Sequence, residues 1–227
     1  MKLILAGLIA CGCAAAQQAM PAATEPHHHT VYEDSRVRIL ALEVEPHAST
    51  LRHRHDSNYV TVLLGTARST LDFLRAEAAH TDRNDSGSPM REVVVELVQR
   101  QTGARNVCAE ILAGEYLHCH EPGAEWLGAN LQVQFETDSM HFGVLQIAPN
   151  ASVAIPPADV PPLLIALDAA ETETLTRANG AAVAPVPRRA VKNGDVLRWT
   201  ADQVSEIHNA GKSSARFLVL EFGGAGE

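Results

Sequence analysis

The sequence predicts an all-β protein made of two similar modules. Short runs rich in Val, Ile, Leu, Phe and Tyr recur along the chain, and Pro, Gly, Asn and Asp separate them. Part of this pattern occurs twice, which indicates an internal repeat. Helix signals are weak and confined to 123–129 and 158–180, where Ala and Glu accumulate without an apolar stripe of helical period. The length of 227 residues allows one large domain or two small ones.

The composition is that of a folded protein and disfavours nucleic acid as the main partner. Hydrophobic residues make up 46% of the chain and charged residues 20%. The formal charge of −9 repels phosphate backbones and anionic membranes. The 11 His outnumber the 5 Phe, 2 Trp and 3 Tyr together. Because imidazole is a common metal ligand and proton carrier, this excess suggests a metal site.

The first 16 residues match a secretory signal. Lys2 precedes an apolar stretch over 3–16 that ends in three alanines and falls short of the roughly 20 residues needed to span a bilayer. We therefore expect an exported protein, periplasmic or secreted, without a transmembrane segment. The alternative is a lipoprotein anchored through Cys11, because LIAC at 8–11 also resembles a lipobox. Residues 17–30 lack periodicity and predict a flexible lead-in, with His27–His29 as a solvated run.

Two cysteines, Cys108 and Cys119, remain after signal cleavage. They lie in a stretch that the pattern predicts to be a loop, and an exported protein meets an oxidising compartment. We expect a disulfide, worth about 3 kcal/mol by loop entropy. The alternative is a metal site formed with His118 and His120, but strand alternation would aim both imidazoles away from Cys119, and the spacing matches no zinc pattern.

The repeat defines the domain organisation. The turn Pro46–Ser49 aligns with Pro149–Ser152, and further along Asn84 aligns with Asn209. The second copy has an extra segment near 169–191, or the first copy lacks one. After the signal and the lead-in, this alignment predicts three parts: a first module at 31–100, a connecting segment at 101–140 and a second module at 141–227.

The first copy resembles the first motif of the cupin superfamily. That motif is a Gly, five residues, His-x-His, three or four residues, a Glu, six residues and a Gly. Here His47 stands at the first Gly, His53 and His55 form His-x-His, Asn58 replaces the Glu, and Gly65 closes the motif.

The second cupin motif ends in His, three residues and Asn, which His80 and Asn84 match. The resemblance is to a bicupin, and it implies two cupin-type β-barrel (jelly-roll) modules. It also implies a degenerate second metal site, because the equivalents of the three histidines are Pro156, Ala158 and Ser205. Only 66–68 separate the two motifs of the first copy, so either its barrel is trimmed by two strands or the connecting segment covers the gap.

The resemblance implies a metal site at His53, His55 and His80. His53 and His55 are two residues apart and therefore face the same side of a strand, and His80 adds a third imidazole from a neighbouring strand. Neutral imidazoles with open coordination positions suit Fe, Mn, Ni, Cu or Zn. Asn58 offers only a neutral carbonyl oxygen, so a weak or empty site stays an alternative. The remaining candidates, which we interpret as structural or surface residues, are His47, His141 and His208.

Two functions remain open. One is a mononuclear metal enzyme of the oxygenase, isomerase or lyase type that acts on a small polar molecule. The other is a bicupin that binds a small ligand or has a structural role without an essential metal. A homo-oligomer is compatible with both, and the sequence contains no nucleophile motif and no Gly-rich phosphate loop.

The disulfide gives a first prediction. Thiol titration of the unfolded, unreduced mature protein is expected to find no free thiol from Cys108 and Cys119, because oxidation closes the pair during export. Two free thiols per chain would contradict the expected bridge.

Overall fold

Regular structure in this chain is almost entirely β-strand. The computed structural model describes residues 19–66, 71–76, 78–101, 104–106, 110–111, 115–116, 131–155, 158–178, 181–182, 186–199 and 204–223. Within these ranges the one helical piece is the 3-10 turn Ala22–Thr24, and no helix is long and apolar enough to cross a membrane. The expected signal segment, the lipobox, the expected disulfide pair and Pro156 lie outside them.

The described residues up to Leu97 form seven strands. They are β1 (Met20–Pro21), β2 (His28–Glu33), β3 (Val37–Val44), β4 (His53–Arg54), β5 (Tyr59–Leu63), β6 (Leu71–Leu74) and β7 (Met90–Leu97). Five of them form a sheet in the order β2-β3-β7-β5-β6. Opposite it, the described residues form only the parallel pair β1-β4 and the isolated bridges Ser49↔Arg83 and His53↔His80.

The second module has two full sheets. The strands after β7 are β8 (Ala104–Asn106), β9 (Glu110–Ile111), β10 (Glu115–Tyr116), β11 (Leu131–Thr137), β12 (Met140–Ile147), β13 (Ser152–Ile155), β14 (Leu163–Ala166), β15 (Ala170–Ala178), β16 (Ala181–Ala182), β17 (Val186–Val191), β18 (Val196–Leu197), β19 (Val204–Asn209) and β20 (Ala215–Phe222). One sheet has the order β18-β14-β20-β12-β11-β8, and the other is β13-β19-β15-β16 with β17 paired to β15. Within the connecting segment, β8 and β11 therefore extend the second module's sheet.

One local expectation is wrong. The stretch 158–180, which carries a weak helix signal, forms β14 and β15. All four residues of β14 are buried, so the strand has apolar side chains on both faces and shows no alternation. Such a run cannot be separated from a buried helix by periodicity alone.

Backbone geometry at the repeated turn supports the alignment of the two copies. His47 and Asn150 occupy equivalent positions, and both have a positive φ, 59° and 57° respectively. They are the only non-glycine residues in the described ranges with this left-handed conformation, which side chains other than Gly adopt rarely. The two turns therefore have the same shape.

The motif asparagines make equivalent hydrogen bonds. Asn84 Nδ2 donates to the carbonyl oxygens of Val44 and Ser88 at 2.9 and 2.8 Å. Asn209 Nδ2 donates in the same way to Ile147 and Ser213 at 3.0 and 2.8 Å. Both side chains are buried, so each amide ties together backbone groups that would otherwise lack a partner.

The alignment slips by one residue at the site itself. Ser205 stands where the first copy has His80, but it pairs with Ile155, whereas the direct alignment pairs it with Pro156. Between its two isolated bridges, Ser49↔Arg83 and His53↔His80, the first copy has one more residue on the side of Ser49 and His53 than on the side of Arg83 and His80. The second copy has no such irregularity between Ser152 and Ile155.

A shared apolar core joins the modules. One face of the first module's sheet packs against one face of the second module's six-stranded sheet. The first module contributes Val37, Ile39, Val60, Val62, Val93, Val95 and Leu97, and the second contributes Met140, Phe142, Leu163, Ile165, Leu167, Leu218, Leu220 and Phe222. The two faces that pack against each other are therefore shielded from solvent.

The two module interiors differ in character. The second is filled by apolar side chains such as Leu145, Ile155 and Phe217. The first has a small apolar cluster around Leu40 and Val94 and further buried apolar residues such as Leu42 and Val44, but it also buries a set of polar side chains: Glu25, His28, Thr50, His53, His55, Thr61 and Glu96. A candidate site therefore exists in the first module only, as far as the described residues extend.

The shared core gives a second prediction. Leu220→Ala should lower the free energy of unfolding by about 2–5 kcal/mol, because it leaves a cavity in a fully buried position. Leu74→Ala is the matched control, since Leu74 is 41% exposed and its truncation should cost within about 0.5 kcal/mol. Urea unfolding measures both, and equal losses for the two variants would contradict the shared core.

Candidate metal centre

Three histidines that the motifs single out lie side by side in the first module. His53 and His55 are buried, while Arg54 between them is exposed, as strand alternation requires. The N–H groups of His53 and His80 each donate to the other's carbonyl oxygen at 2.9 Å. Ring centroids are 4.4 Å apart for His53 and His80, and 5.4 Å apart for the other two pairs. The three imidazoles that the sequence selects therefore lie next to one another, but their donor atoms do not all come within 4.8 Å of one another.

A fourth imidazole, His28, joins them from the N-terminal segment. Its side chain is fully buried, and its ring centroid lies 4.6 Å from that of His53 and 5.9 Å from that of His55. Instead of a flexible lead-in with a solvated His run, residues from Met20 onward form β1 and β2. The sequence of this run does not indicate which of the three histidines is buried, because that depends on how β2 pairs with β3.

All four rings place Nδ1 against an oxygen acceptor. Because carbonyl and carboxylate oxygens accept, Nδ1 donates and the lone pair lies on Nε2. Metal-ligating histidines have such a second hydrogen bond, which fixes the tautomer and the ring orientation. The acceptors are Glu25 Oε2 for His28 at 2.8 Å, Leu51 O for His53 at 2.9 Å, Glu96 Oε1 for His55 at 2.9 Å and Ala78 O for His80 at 3.3 Å.

Two of these Nε2 atoms receive no hydrogen bond. Nε2 of His28 and of His53 are buried and have no hydrogen-bond partner within the described ranges. His28, His53 and His55 have donor atoms within 4.8 Å of one another, and so do His53, His80 and Asp82. Asp82 Oδ2 lies 3.4 Å from Nε2 of His53, and Oδ1 lies 3.7 Å from Nε2 of His80. His53 therefore belongs to two overlapping groups of metal-binding geometry.

Asn58, at the Glu position of the motif, makes a different contact. Its Oδ1 accepts a hydrogen bond from the Ala76 N–H at 3.2 Å, and its carbonyl oxygen accepts from the Leu97 N–H at 2.7 Å. Asn58 lies just before β5, so these contacts hold the ends of β6 and β7. The carboxylates that contact the imidazoles are Glu25, Asp82 and Glu96, none of which the motif indicates.

Burial and hydrogen bonds set the charges in the cluster. Burial lowers the pKa of His28 and of His53, which favours neutral imidazoles. Burial alone would raise the pKa of Glu25, but hydrogen bonds from His27, His28 and the Leu51 N–H lower it to about 2. An ionised Glu25 thus accepts from the His28 ring, and Nε2 of His28 and Nε2 of His53 keep the unprotonated state that a metal requires.

Tyr59 closes one side of the cluster. Its ring stacks on His55 at a centroid distance of 3.8 Å. Burial, together with the carboxylates of Asp82, Glu92 and Glu96, raises the pKa of Tyr59 to about 12. Its hydroxyl therefore remains a hydrogen-bond donor at neutral pH.

His141 and His208 lie outside the cluster. His141 Nδ1 hydrogen-bonds with Glu221 at 3.2 Å, and this bond raises the pKa of His141. His208 Nδ1 contacts Ser152 Oγ at 3.1 Å. In the second module, the described positions that align with His55 and His80 are Ala158 and Ser205, and neither side chain is an imidazole.

Comparisons with known proteins give a likeness of fold. No family model matches the sequence, and no curated protein matches it. AerE from Microcystis aeruginosa is similar at a TM-score of 0.52 and 9% identity, over 87% of this chain and 98% of that chain. This likeness is one of fold, and together with the almost entirely β-strand structure it confirms the all-β jelly-roll class.

Two further solved structures are similar at lower scores. Bacillus subtilis oxalate decarboxylase, whose Mn(II) centres have been studied, has a TM-score of 0.49 and 11% identity over 88% of this chain and 73% of that chain. Salicylate 1,2-dioxygenase from Pseudaminobacter salicylatoxidans has a TM-score of 0.47 and 10% identity over 83% of this chain and 71% of that chain.

Glu92 is a largely buried carboxyl on the same face of β7 as Glu96. Burial, and then the carboxylates of Asp82 and Asp72, raise its pKa to about 7, although a hydrogen bond with Thr61 partly opposes the rise. The folded state thus binds a proton at Glu92 more tightly than the unfolded chain does. The stability that this proton provides is present below about pH 4.5 and is lost as the pH rises through 7.

This carboxyl gives a third prediction. Glu92→Gln should match the wild type in stability near pH 4.5 and exceed it at pH 8 by up to about 3 kcal/mol, because the amide never ionises. Urea unfolding of both proteins at the two pH values measures the difference. A difference that does not change with pH would show that Glu92 titrates normally.

Proposed function

We propose that this protein is a metal-dependent two-module cupin whose first module binds one transition-metal ion through His53, His55 and His80. The observation that carries the proposal is that Nε2 of His28 and Nε2 of His53 are buried and without a hydrogen-bond partner in the described part of the chain, on two residues that belong to one group of candidate metal ligands. An unsatisfied buried acceptor costs about 1–3 kcal/mol. One ion would satisfy both atoms at once.

The donor set restricts the metal. Neutral imidazoles suit Fe, Mn, Ni, Cu or Zn, whereas Mg and Ca prefer oxygen ligands. Asp82 adds one carboxylate beside His53 and His80. The hydrogen bonds from Nδ1 to Glu25 and Glu96 support the assignment, because such contacts orient metal-ligating imidazoles and raise their basicity.

The surrounding residues supply polar chemistry for a small substrate. When bound, such an ion polarises a substrate oxygen and supports oxygenase, isomerase or lyase reactions. The Tyr59 hydroxyl can donate a hydrogen bond to a substrate, and the Asp82 carboxylate can accept one from it. Glu92, with a pKa of about 7, exchanges a proton readily at neutral pH.

The second module has a structural role in this proposal. Its apolar interior and its half of the shared core stabilise the first module, as in a bicupin with a degenerate second site.

One observation favours a non-enzymatic alternative, in which the cluster binds a small ligand without an essential metal. Asn58 replaces the carboxylate of the motif and its amide oxygen is engaged by Ala76, so the ion loses one anionic ligand.

We also infer that the protein is exported and contains the Cys108–Cys119 bridge. The support is the signal pattern in 1–16 and the pair of cysteines left after cleavage.

The fourth prediction concerns metal content. Wild-type protein, purified without chelators and offered Fe, Mn, Ni, Cu and Zn, should retain about one equivalent of metal, because the imidazoles are already in ligand form. His53→Ala/His55→Ala should retain a substoichiometric amount. Elemental analysis by mass spectrometry measures the content.

The control is His141→Ala/His208→Ala, which removes two histidines outside the cluster and should leave metal content unchanged. A wild-type protein without metal would overturn the enzyme proposal and favour the ligand-binding alternative. Circular dichroism checks that each variant retains its β-structure.

A further inference from the structure

The N-terminal segment 20–30 is built into the histidine cluster. β1 runs parallel to β4, with Met20 paired to His53, and the Met20 N–H donates to the Arg52 carbonyl at 3.2 Å. Ala22 is buried in the small apolar cluster with Leu40 and Tyr59. We call residues 20–30 the strap.

Glu25 fastens the strap to the loop before β4. Its side chain is fully buried, and Oε2 accepts from His28 Nδ1 at 2.8 Å. Oε1 accepts from His27 Nδ1 and from the Leu51 N–H, both at 2.9 Å. One carboxylate therefore orients His28 and holds the backbone two residues before His53.

We propose that His28 is a ligand of the same ion as His53 and His55, so that the strap must dock for the metal site to be complete. This inference rests on the proposed function. The donor atoms of these three residues lie within 4.8 Å of one another, and the His28 side chain is inaccessible to solvent with Nε2 unpaired. His28 thus adds a neutral nitrogen donor where the motif's carboxylate is missing.

The proposal couples metal binding to docking of the strap. Without an ion, docking buries the Nε2 atom of His28 unsatisfied, which costs free energy. With an ion, the same docking adds a metal–nitrogen bond. Because such coupling is reciprocal, the ion must hold the strap in place to the same extent that the strap increases metal affinity.

The fifth prediction compares two adjacent histidines. His28→Ala should weaken Zn²⁺ binding at least about 10-fold, since loss of a contact that merely orients a ligand already costs 10–100-fold. His29→Ala is the matched control, because His29 is exposed and should leave affinity unchanged. Competition with a chromophoric chelator measures both affinities.

Hydrogen exchange of the wild-type protein tests the coupling without a variant. Saturation with Zn²⁺ should slow exchange of strap amides that are hydrogen-bonded in the docked form, including those of Glu25, His27 and His28. This measurement also decides the matter if His28→Ala fails to fold.

Each outcome separates the two proposals. Unchanged Zn²⁺ affinity in a folded His28→Ala, or unchanged strap exchange in Zn²⁺-bound wild type, would overturn the role of His28 and leave the proposed site on His53, His55 and His80. A wild type that binds no metal would overturn the proposed function itself. Weakened binding in His28→Ala alone, with slower strap exchange on Zn²⁺ binding, supports both.

Discussion

The burial of one sheet face between the modules constrains the rest of this protein. On β7, Val93, Val95 and Leu97 enter the shared core, so Glu92 and Glu96 point to the opposite side. Glu96 there accepts the hydrogen bond that orients His55. A shift of one residue would turn the carboxylates into the apolar core. The contact between modules thus fixes the register of the strands that carry the site.

Local patterns in the sequence were sufficient to predict the fold and part of the candidate site. The turn at His47 and Asn150 is a local feature, and Asn84 and Asn209 each also donate to a carbonyl oxygen four residues further along, so these residue types can be recognised in the sequence. His53 and His55 are likewise recognisable, because a spacing of two on a strand determines which face their side chains share.

The rest of the site depends on contacts that spacing does not encode. His28 reaches the cluster because β1 pairs with β4, more than 30 positions along the chain, and because Glu25 folds back onto Leu51. Asn58 matches the motif in position, yet its amide is drawn to Ala76 by the β5-β6 hairpin. A buried run such as β14 lacks alternation and so resembles a helix segment in sequence.

The different interiors of the two modules determine how freely each copy can vary. In the second module, most buried positions are apolar, and a substitution there has to preserve volume and apolar character, an exchange that cores tolerate well. In the first, every buried polar atom around Glu25 or Glu96 needs its partner, so most exchanges leave a group unsatisfied. The second copy of the repeat can therefore accept many apolar substitutions in its interior, whereas the identity of most buried polar residues in the first copy is constrained.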